Sequence, residues 1–179
     1  MKLKYFNEIK RSMEFISKNK KVIFLGQAVR YPGTAMFNTL KDIPNKKKIE
    51  LPVAEEMQLG MTLCMALNGF IPVSIYPRWN FLLSATNQLV NHLDKIKEIS
   101  DYQINPKIII RTSVGSIRPL NPQCQHTGDF SSFFTKICKN INIVKLDKPS
   151  NIFKSYKKAV EGKNNINLLV EVADYYNEK

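Results

Sequence analysis

The 179 residues are 44% hydrophobic and 10% aromatic, which excludes a disordered chain and suits one domain whose core needs no disulfide or metal. Lysine and arginine outnumber aspartate and glutamate 27 to 15, a net charge of +12, compatible with nucleic acid, an anionic membrane surface, an acidic partner chain or a lysine-rich composition alone. No apolar run approaches the roughly 18 to 20 residues of a membrane span, and the opening MKLKYFNEIKRSMEFISKNKK lacks the apolar stretch and cleavage site of a signal peptide. A soluble, cytoplasmic protein is expected, with Cys64, Cys124 and Cys138 as free thiols, since they form no Cys-x-x-Cys and no zinc-type set.

Residues 3 to 18 carry Leu3, Phe6, Ile9, Met13, Phe15 and Ile16 near helical spacing with lysines between them, the pattern of a surface helix. Residues 22 to 25, closed by Gly26, read as a strand buried on both faces. A turn at Tyr31, Pro32 and Gly33 leads to a short helix over 34 to 40 and an extended segment over 48 to 52. Glu55 to Leu67 predicts a helix stopped by Asn68 and Gly69. A strand over 71 to 76 and a long helix over 80 to 96 follow. Residues 107 to 111, with three successive isoleucines, read as a second doubly buried strand entering a Gly/Ser/Pro/Asn-rich loop over 112 to 127. Residues 129 to 138, 141 to 146, 150 to 160 and 166 to 172 continue as helix, strand, helix and strand. This alternation predicts an α/β fold, a single domain with a mostly parallel sheet and helices on both faces. Residues 1 to 20 form its N-terminal helix and 21 to 179 the domain proper. Working residues in such sheets lie beyond the carboxyl ends of the strands, which selects the loops 26 to 33, 52 to 56 and 112 to 127.

Glu55 and Glu56 open their helix where its dipole favours a carboxylate by about 0.3 to 1 kcal/mol, enough to explain both acids structurally. Yet Met57, Leu59, Met61, Leu63, Met65 and Leu67 follow with hardly a charge, so that helix must be covered by its own core or by another chain. His126 ends the long loop after a buried strand, whereas His92 sits mid-helix among charged neighbours, which makes His126 the better site candidate. Cys124 stands too close to His126 for a nucleophile pair of the usual kind. There is no Walker loop and no Gly-x-Gly-x-x-Gly. Lys154, Tyr156, Lys157 and Lys158 come without any RNA-binding or helix-turn-helix signature and read as a solvated helix face.

Pro52-Val53-Ala54-Glu55, then Gly60, Ala66, Gly69, Pro72, Trp79-Asn80-Phe81, Ala85, Gln88, Asn91 and Lys95 stand in a specific order. With Ile110-Arg111, Gly115, Gln125-His126 and the turn at 26 to 29, they resemble the pyrimidine-binding domain of thiamine-diphosphate-dependent enzymes. The likeness is greatest to the beta subunit of 2-oxo-acid dehydrogenases, with transketolase more distant, and it runs from about residue 21 to 171. It implies a thiamine-diphosphate-binding fold of the pyrimidine type.

The resemblance further implies that Glu55, five residues before Gly60, shares a proton with N1′ of the aminopyrimidine. That favours the 4′-imino tautomer, whose nitrogen removes the C2 proton of the thiazolium. Burial of such a glutamate raises its pKa toward the working range. Glu56 sits where the family requires no acid. Phe81 matches the ring that stacks on the pyrimidine, Gln27 lies in the first active-site turn as a cofactor contact, and His126 matches the family histidine near the reacting carbon. Arg78 and Arg118, in segments that depart from the family, are candidates for an anionic substrate.

The family holds the diphosphate and its magnesium with a Gly-Asp-Gly and a later Asn-Asn on a different domain. Gly128-Asp129 and Asn164-Asn165 echo that motif only by chance, because Phe130 replaces the second glycine and no strand precedes the pair. The Mg2+ and diphosphate site is therefore expected on a companion chain. The usual beta subunit continues into a C-terminal domain, whereas this sequence stops at Lys179. The resulting expectation is the pyrimidine-domain subunit of a two-chain enzyme, α2β2, that decarboxylates a 2-oxo acid and/or transfers the resulting acyl or aldehyde unit, with no nucleic acid or membrane partner. The alternatives are a free-standing half of a transketolase-type ketol transferase and a basic nucleic-acid-binding module.

Overall fold

The computed structural model describes residues 4–118, 121–163 and 165–177; Leu3 and Asn164 lie outside them. Six segments pair in parallel into one sheet: Val22–Gly26 (β1), Lys48–Glu50 (β2), Ile71–Ile75 (β3), Ile108–Val114 (β4), Asn142–Leu146 (β5) and Ile166–Val172 (β6). The order across the sheet is β2-β1-β3-β4-β6-β5. Tyr5–Ser17 (α1) precedes β1; parallel neighbours require crossovers, and these carry the other helices: Ala35–Asn38 (α2), Glu55–Leu67 (α3), Trp79–Leu82 (α4), Ile96–Ile99 (α5), Ser131–Ile137 (α6) and Pro149–Glu161 (α7).

The inner strands β1, β3, β4 and β6 carry apolar runs because both their faces are covered. Ile109 and Leu169 enter the core beneath α1 and α7, together with Tyr5, Ile9, Met13, Ile152 and Tyr156. Their neighbours Ile108, Ile110, Leu168 and Val170 turn the other way, to Leu59, Trp79, Leu89 and Phe134. Among the described residues no helix is long and apolar enough to cross a membrane.

Two expectations change. The long helix over 80 to 96 is broken: α4 passes into a 3-10 turn at Leu83–Ala85, a π-helical stretch at Gln88–Leu93 and then α5. Its anchor is Asp94, fully buried, whose carboxylate accepts from the Asn140 backbone N–H at 2.8 Å and from Lys95 Nζ at 2.9 Å. The Asn140 side chain donates to the Asp94 carbonyl at 2.7 Å, and these contacts fasten the stretch to the approach to β5. Strand β4, in turn, outruns its expected end at residue 111, because its register with β6 continues to Val114 opposite Val172.

Between β4 and β6 lies a buried ion pair. Arg111 donates from Nε and Nη2 to the Glu171 carboxylate at 2.5 and 3.0 Å, with both side chains fully buried. The hydroxyls of Tyr156 and Tyr176 also donate to Glu171. Burial alone would lower the Arg111 pKa, but the Glu171 charge together with Tyr156, Tyr176 and the hydrogen bond to Glu171 outweighs it and holds the guanidinium protonated.

Candidate active site

The site is built from the carboxyl ends of the central strands. Strand β1 ends at Gly26, φ +145°, where a Cβ would stand 2.4 Å from the Ile75 carbonyl oxygen; only glycine passes there. The chain then turns through Ala28 at φ +52°. Glu50, at the end of the edge strand β2, accepts hydrogen bonds from the backbone N–H groups of Ala28, Val29 and Arg30 at 2.5, 2.9 and 2.7 Å. From this turn Gln27 Nε2 donates to Glu55 Oε1 at 3.3 Å.

Glu55 is the first residue of α3 and is half-buried, and its carbonyl accepts from the Tyr76 hydroxyl at 3.2 Å. Gln58, one turn on, is buried and donates to Ser74 Oγ and the Ile75 carbonyl, each at 3.0 Å, which ties the helix start to β3. Glu56 points elsewhere, exposed, accepting from Asn87 Nδ2 at 3.2 Å. The two adjacent acids are thus inequivalent.

Across the strand ends, Trp79 is buried, stacked on Phe134 at 4.9 Å and donating from Nε1 to Ser131 Oγ at 3.2 Å. This anchor fixes α4 and leaves Phe81 half-buried against His126, ring centroids 5.1 Å apart. Asn80 Oδ1 and His126 Nδ1 are buried without a hydrogen-bond partner. Arg78 Nη1 donates to the carbonyls of Gly115 and His126 at 2.6 and 3.1 Å, joining both ends of the loop after β4. Burial lowers the Arg78 pKa, opposed by the charge of Asp174. Asp174 Oδ1 itself accepts from the N–H groups of Ile117 and Arg118 at 2.7 and 3.2 Å.

A cleft of about 640 Å³ opens between these halves, lined among others by Gln27, Met36, Phe37, Arg78, Phe81 and Tyr176. The expected residues therefore gather in two contacting sets, Gln27 with Glu55 and Phe81 with His126 and Arg78, and three of them share the cleft. Glu55 and His126 each touch a lining residue. Arg118 is exposed and does not line the cleft. Glu50 and Asp174 escape sequence reasoning; the only signal for Glu50 is an acid closing a very short strand beside Leu51-Pro52.

The helix behind Glu55 is covered on one side only. Gln58, Leu59, Thr62 and Ala66 are buried, whereas Met57 and Leu67 are 45% and 47% exposed, flanked by Val53 at 78% and Phe70 at 43%. Glu55 itself is half-buried, not in the dry seat expected for it. Among the described residues no three His, Cys, Asp or Glu side chains come together to hold a metal ion.

This fold recurs in transketolases. The chain superposes on transketolase from Campylobacter jejuni subsp. jejuni NCTC 11168 with a TM-score of 0.71 at 13% identity, covering 94% of this chain and 25% of that one. A split-gene transketolase solved as an inactive beta4 tetramer gives 0.69 at 13% identity, covering 93% and 50%. The sequence is similar to the pyruvate dehydrogenase E1 component subunit beta of Gracilaria tenuistipitata var. liui, 26% identical over 155 residues, 84% of this chain and 47% of that protein. The same subunit from Staurastrum punctulatum is 25% identical over 166 residues, 90% and 49% respectively. The chain spans about half the length of these curated relatives. No protein-family model matches it. The fold is accordingly transketolase-like, and the resemblance to 2-oxo-acid dehydrogenase beta subunits is borne out.

Proposed function

We propose that the chain is the pyrimidine-domain subunit of a two-chain thiamine-diphosphate-dependent enzyme that decarboxylates a 2-oxo acid and/or transfers the resulting acyl or aldehyde unit. The carrying observation is Glu55, set at the start of an apolar helix and hydrogen-bonded by Gln27 at the edge of a cleft, in a chain similar to pyruvate dehydrogenase beta subunits. A carboxylate, a half-buried aromatic ring and unpartnered buried acceptors beside them fit the aminopyrimidine half of that cofactor.

When bound, thiamine diphosphate supplies the electron sink that accepts the charge left on a carbonyl carbon as carbon dioxide departs. The chain's own residues prepare that chemistry. Gln27 holds Glu55 Oε1, leaving Oε2 to carry the proton exchanged with the ring nitrogen N1′. Phe81 orients the ring by stacking. His126, its ring seated on Phe81, gives and takes protons at the substrate oxygen. Arg78 lines the cleft and receives the substrate carboxylate, while Arg118 meets anions outside it.

The diphosphate and Mg2+ belong to a companion chain in an α2β2 assembly, seated on the uncovered stripe Val53, Met57 and Leu67. Met57 and Leu67 belong to α3, which carries no basic residue in a chain of net charge +12. The three unpaired cysteines support a reducing cytoplasm. A free-standing half of a transketolase-type ketol transferase is the second reading, favoured by the split-gene transketolase that shares the fold.

The test is the chain combined with its companion, thiamine diphosphate and magnesium. Glu55→Ala abolishes C2 proton exchange of the cofactor while Glu56→Ala retains it; full exchange in the Glu55 variant refutes the assignment.

A further inference from the structure

We infer that Glu50 is a positioning residue of this site, organising through three consecutive backbone amides the turn that aims Gln27 at Glu55. The inference rests on the reading of Glu55 as the proton-bearing group and adds a residue that itself touches neither cofactor nor substrate.

Strand β2 is three residues long and lies at the sheet edge, with Glu50 opposite Gly26 in the register. The Leu51 N–H donates to the Gly26 carbonyl at 2.9 Å, so the backbone of β2 stays paired up to the point where β1 ends. There the pairing passes from backbone to side chain: both Glu50 oxygens take amides, Oε1 from Ala28 and Oε2 from Val29 and Arg30. Hydrogen bonds to an ionised carboxylate are about twice as strong as neutral ones, and three successive N–H groups converge on an anion only when the chain curls into a concave nest.

That curl forces Ala28 to φ +52°, a region disfavoured for any residue with a Cβ. Nothing in the Ala28 side chain stabilises it; the Glu50 carboxylate does. With that carboxylate gone, the buried Val29 keeps an N–H without an acceptor, and Ala28 relaxes to negative φ. The relaxation turns the peptide between residues 27 and 28 and swings Gln27 off Glu55. Since the Gln27 to Glu55 contact is a single bond of 3.3 Å, a small rotation breaks it.

The decisive experiment pairs two readouts on Glu50→Ala, Glu50→Gln and the double variant Glu50→Ala/Ala28→Gly. In the full chain alone, nitrogen-15 NMR follows the amide shifts and hydrogen-exchange protection of Ala28, Val29 and Arg30. In the complex with the companion chain, the C2 exchange rate and the KM for thiamine diphosphate are measured. Glu50→Ala should strip protection from these amides and slow C2 exchange by about 10- to 100-fold, as expected for a displaced catalytic group, a larger change than in the KM for the cofactor. Glycine at 28 adopts positive φ without strain, so the double variant should regain part of the rate, a recovery that a merely structural role does not produce. Glu50→Gln, which keeps shape and one acceptor oxygen, should fall between and serves if the alanine variant fails to fold. Wild-type exchange in a variant whose amides have lost protection overturns the proposal, as does retained protection without Glu50. If the unsubstituted complex shows no cofactor-dependent exchange, the catalytic reading falls and this role with it, although the amide signals still show whether Glu50 holds the turn.

Discussion

Glutamine in place of Glu171 keeps the side-chain volume and removes the charge that Arg111 faces. The guanidinium is fully buried and bonded twice to that carboxylate, at 2.5 and 3.0 Å, and its Nη1 has no hydrogen-bond partner. An uncompensated charge in such a place costs about 3 to 5 kcal/mol, a large share of the roughly 5 to 15 kcal/mol that stabilises an ordinary domain. For a chain of this size the melting temperature should fall by roughly 6 to 20 °C. Urea unfolding followed by circular dichroism and by the fluorescence of Trp79, the single tryptophan, measures the loss directly. Arg111→Met/Glu171→Gln supplies the control: with both charges gone, and an amide oxygen still there to accept from the tyrosine hydroxyls, the double variant should recover most of that loss. A Glu171→Gln chain that unfolds within about 1 kcal/mol of the parent refutes this account.

Tyr5, Tyr156 and Tyr176 have pKa values raised first by burial and then by the Glu171 charge. Because the folded state favours their protonated forms, this stability is fully present below about pH 10. It is lost as pH rises from there toward the folded-state values, by about 1.4 kcal/mol per pH unit for each tyrosine. Urea midpoints that stay level from about pH 9 to about pH 11 would contradict that burial. Leu67→Glu, on the exposed stripe of α3, should leave the melting of the isolated chain within about 0.5 kcal/mol of the parent. It should weaken association with the companion chain by about tenfold or more, read by sedimentation velocity; unchanged affinity removes α3 as the seat. Cys64 and Cys124, both exposed, should react at once with an aromatic disulfide reagent. Cys138, buried and with its thiol pushed up to about 11 chiefly by burial, should react only after unfolding. Companion binding should protect Cys64, and three fast thiols in the isolated chain would refute the packing of α6.

The sheet was legible because burial on both faces leaves a signature in consecutive residues: Ile108, Ile109 and Ile110 point alternately into two cores. The limits of α3 were legible too, since Asn68 and Gly69 stop the helix where its apolar run ends. What escaped depends on partners distant in sequence. Asp94 breaks the expected helix through Asn140, 46 residues away, and Arg111 meets Glu171 across 60. Nothing local distinguishes Glu50 from any charged strand end, because the amides it gathers belong to another strand's turn. Glu55 and His126 stood out by position, at a helix start and in the loop after a buried strand, whereas Phe81 was readable only as an element of a family pattern; their pairing with Gln27 and Arg78 emerges from the folded chain.

The guanidinium of Arg78, by clasping the carbonyls of Gly115 and His126 together, makes the loop between them a closed ring with a fixed seam. Lengthening a loop whose ends are already joined costs little, about 0.6 kcal/mol for each doubling. Residues between Gly115 and His126 can therefore be added or removed while both ends stay on Arg78 and His126 stays against Phe81, so the length of this segment is free to evolve independently of the residues that its ends hold in place.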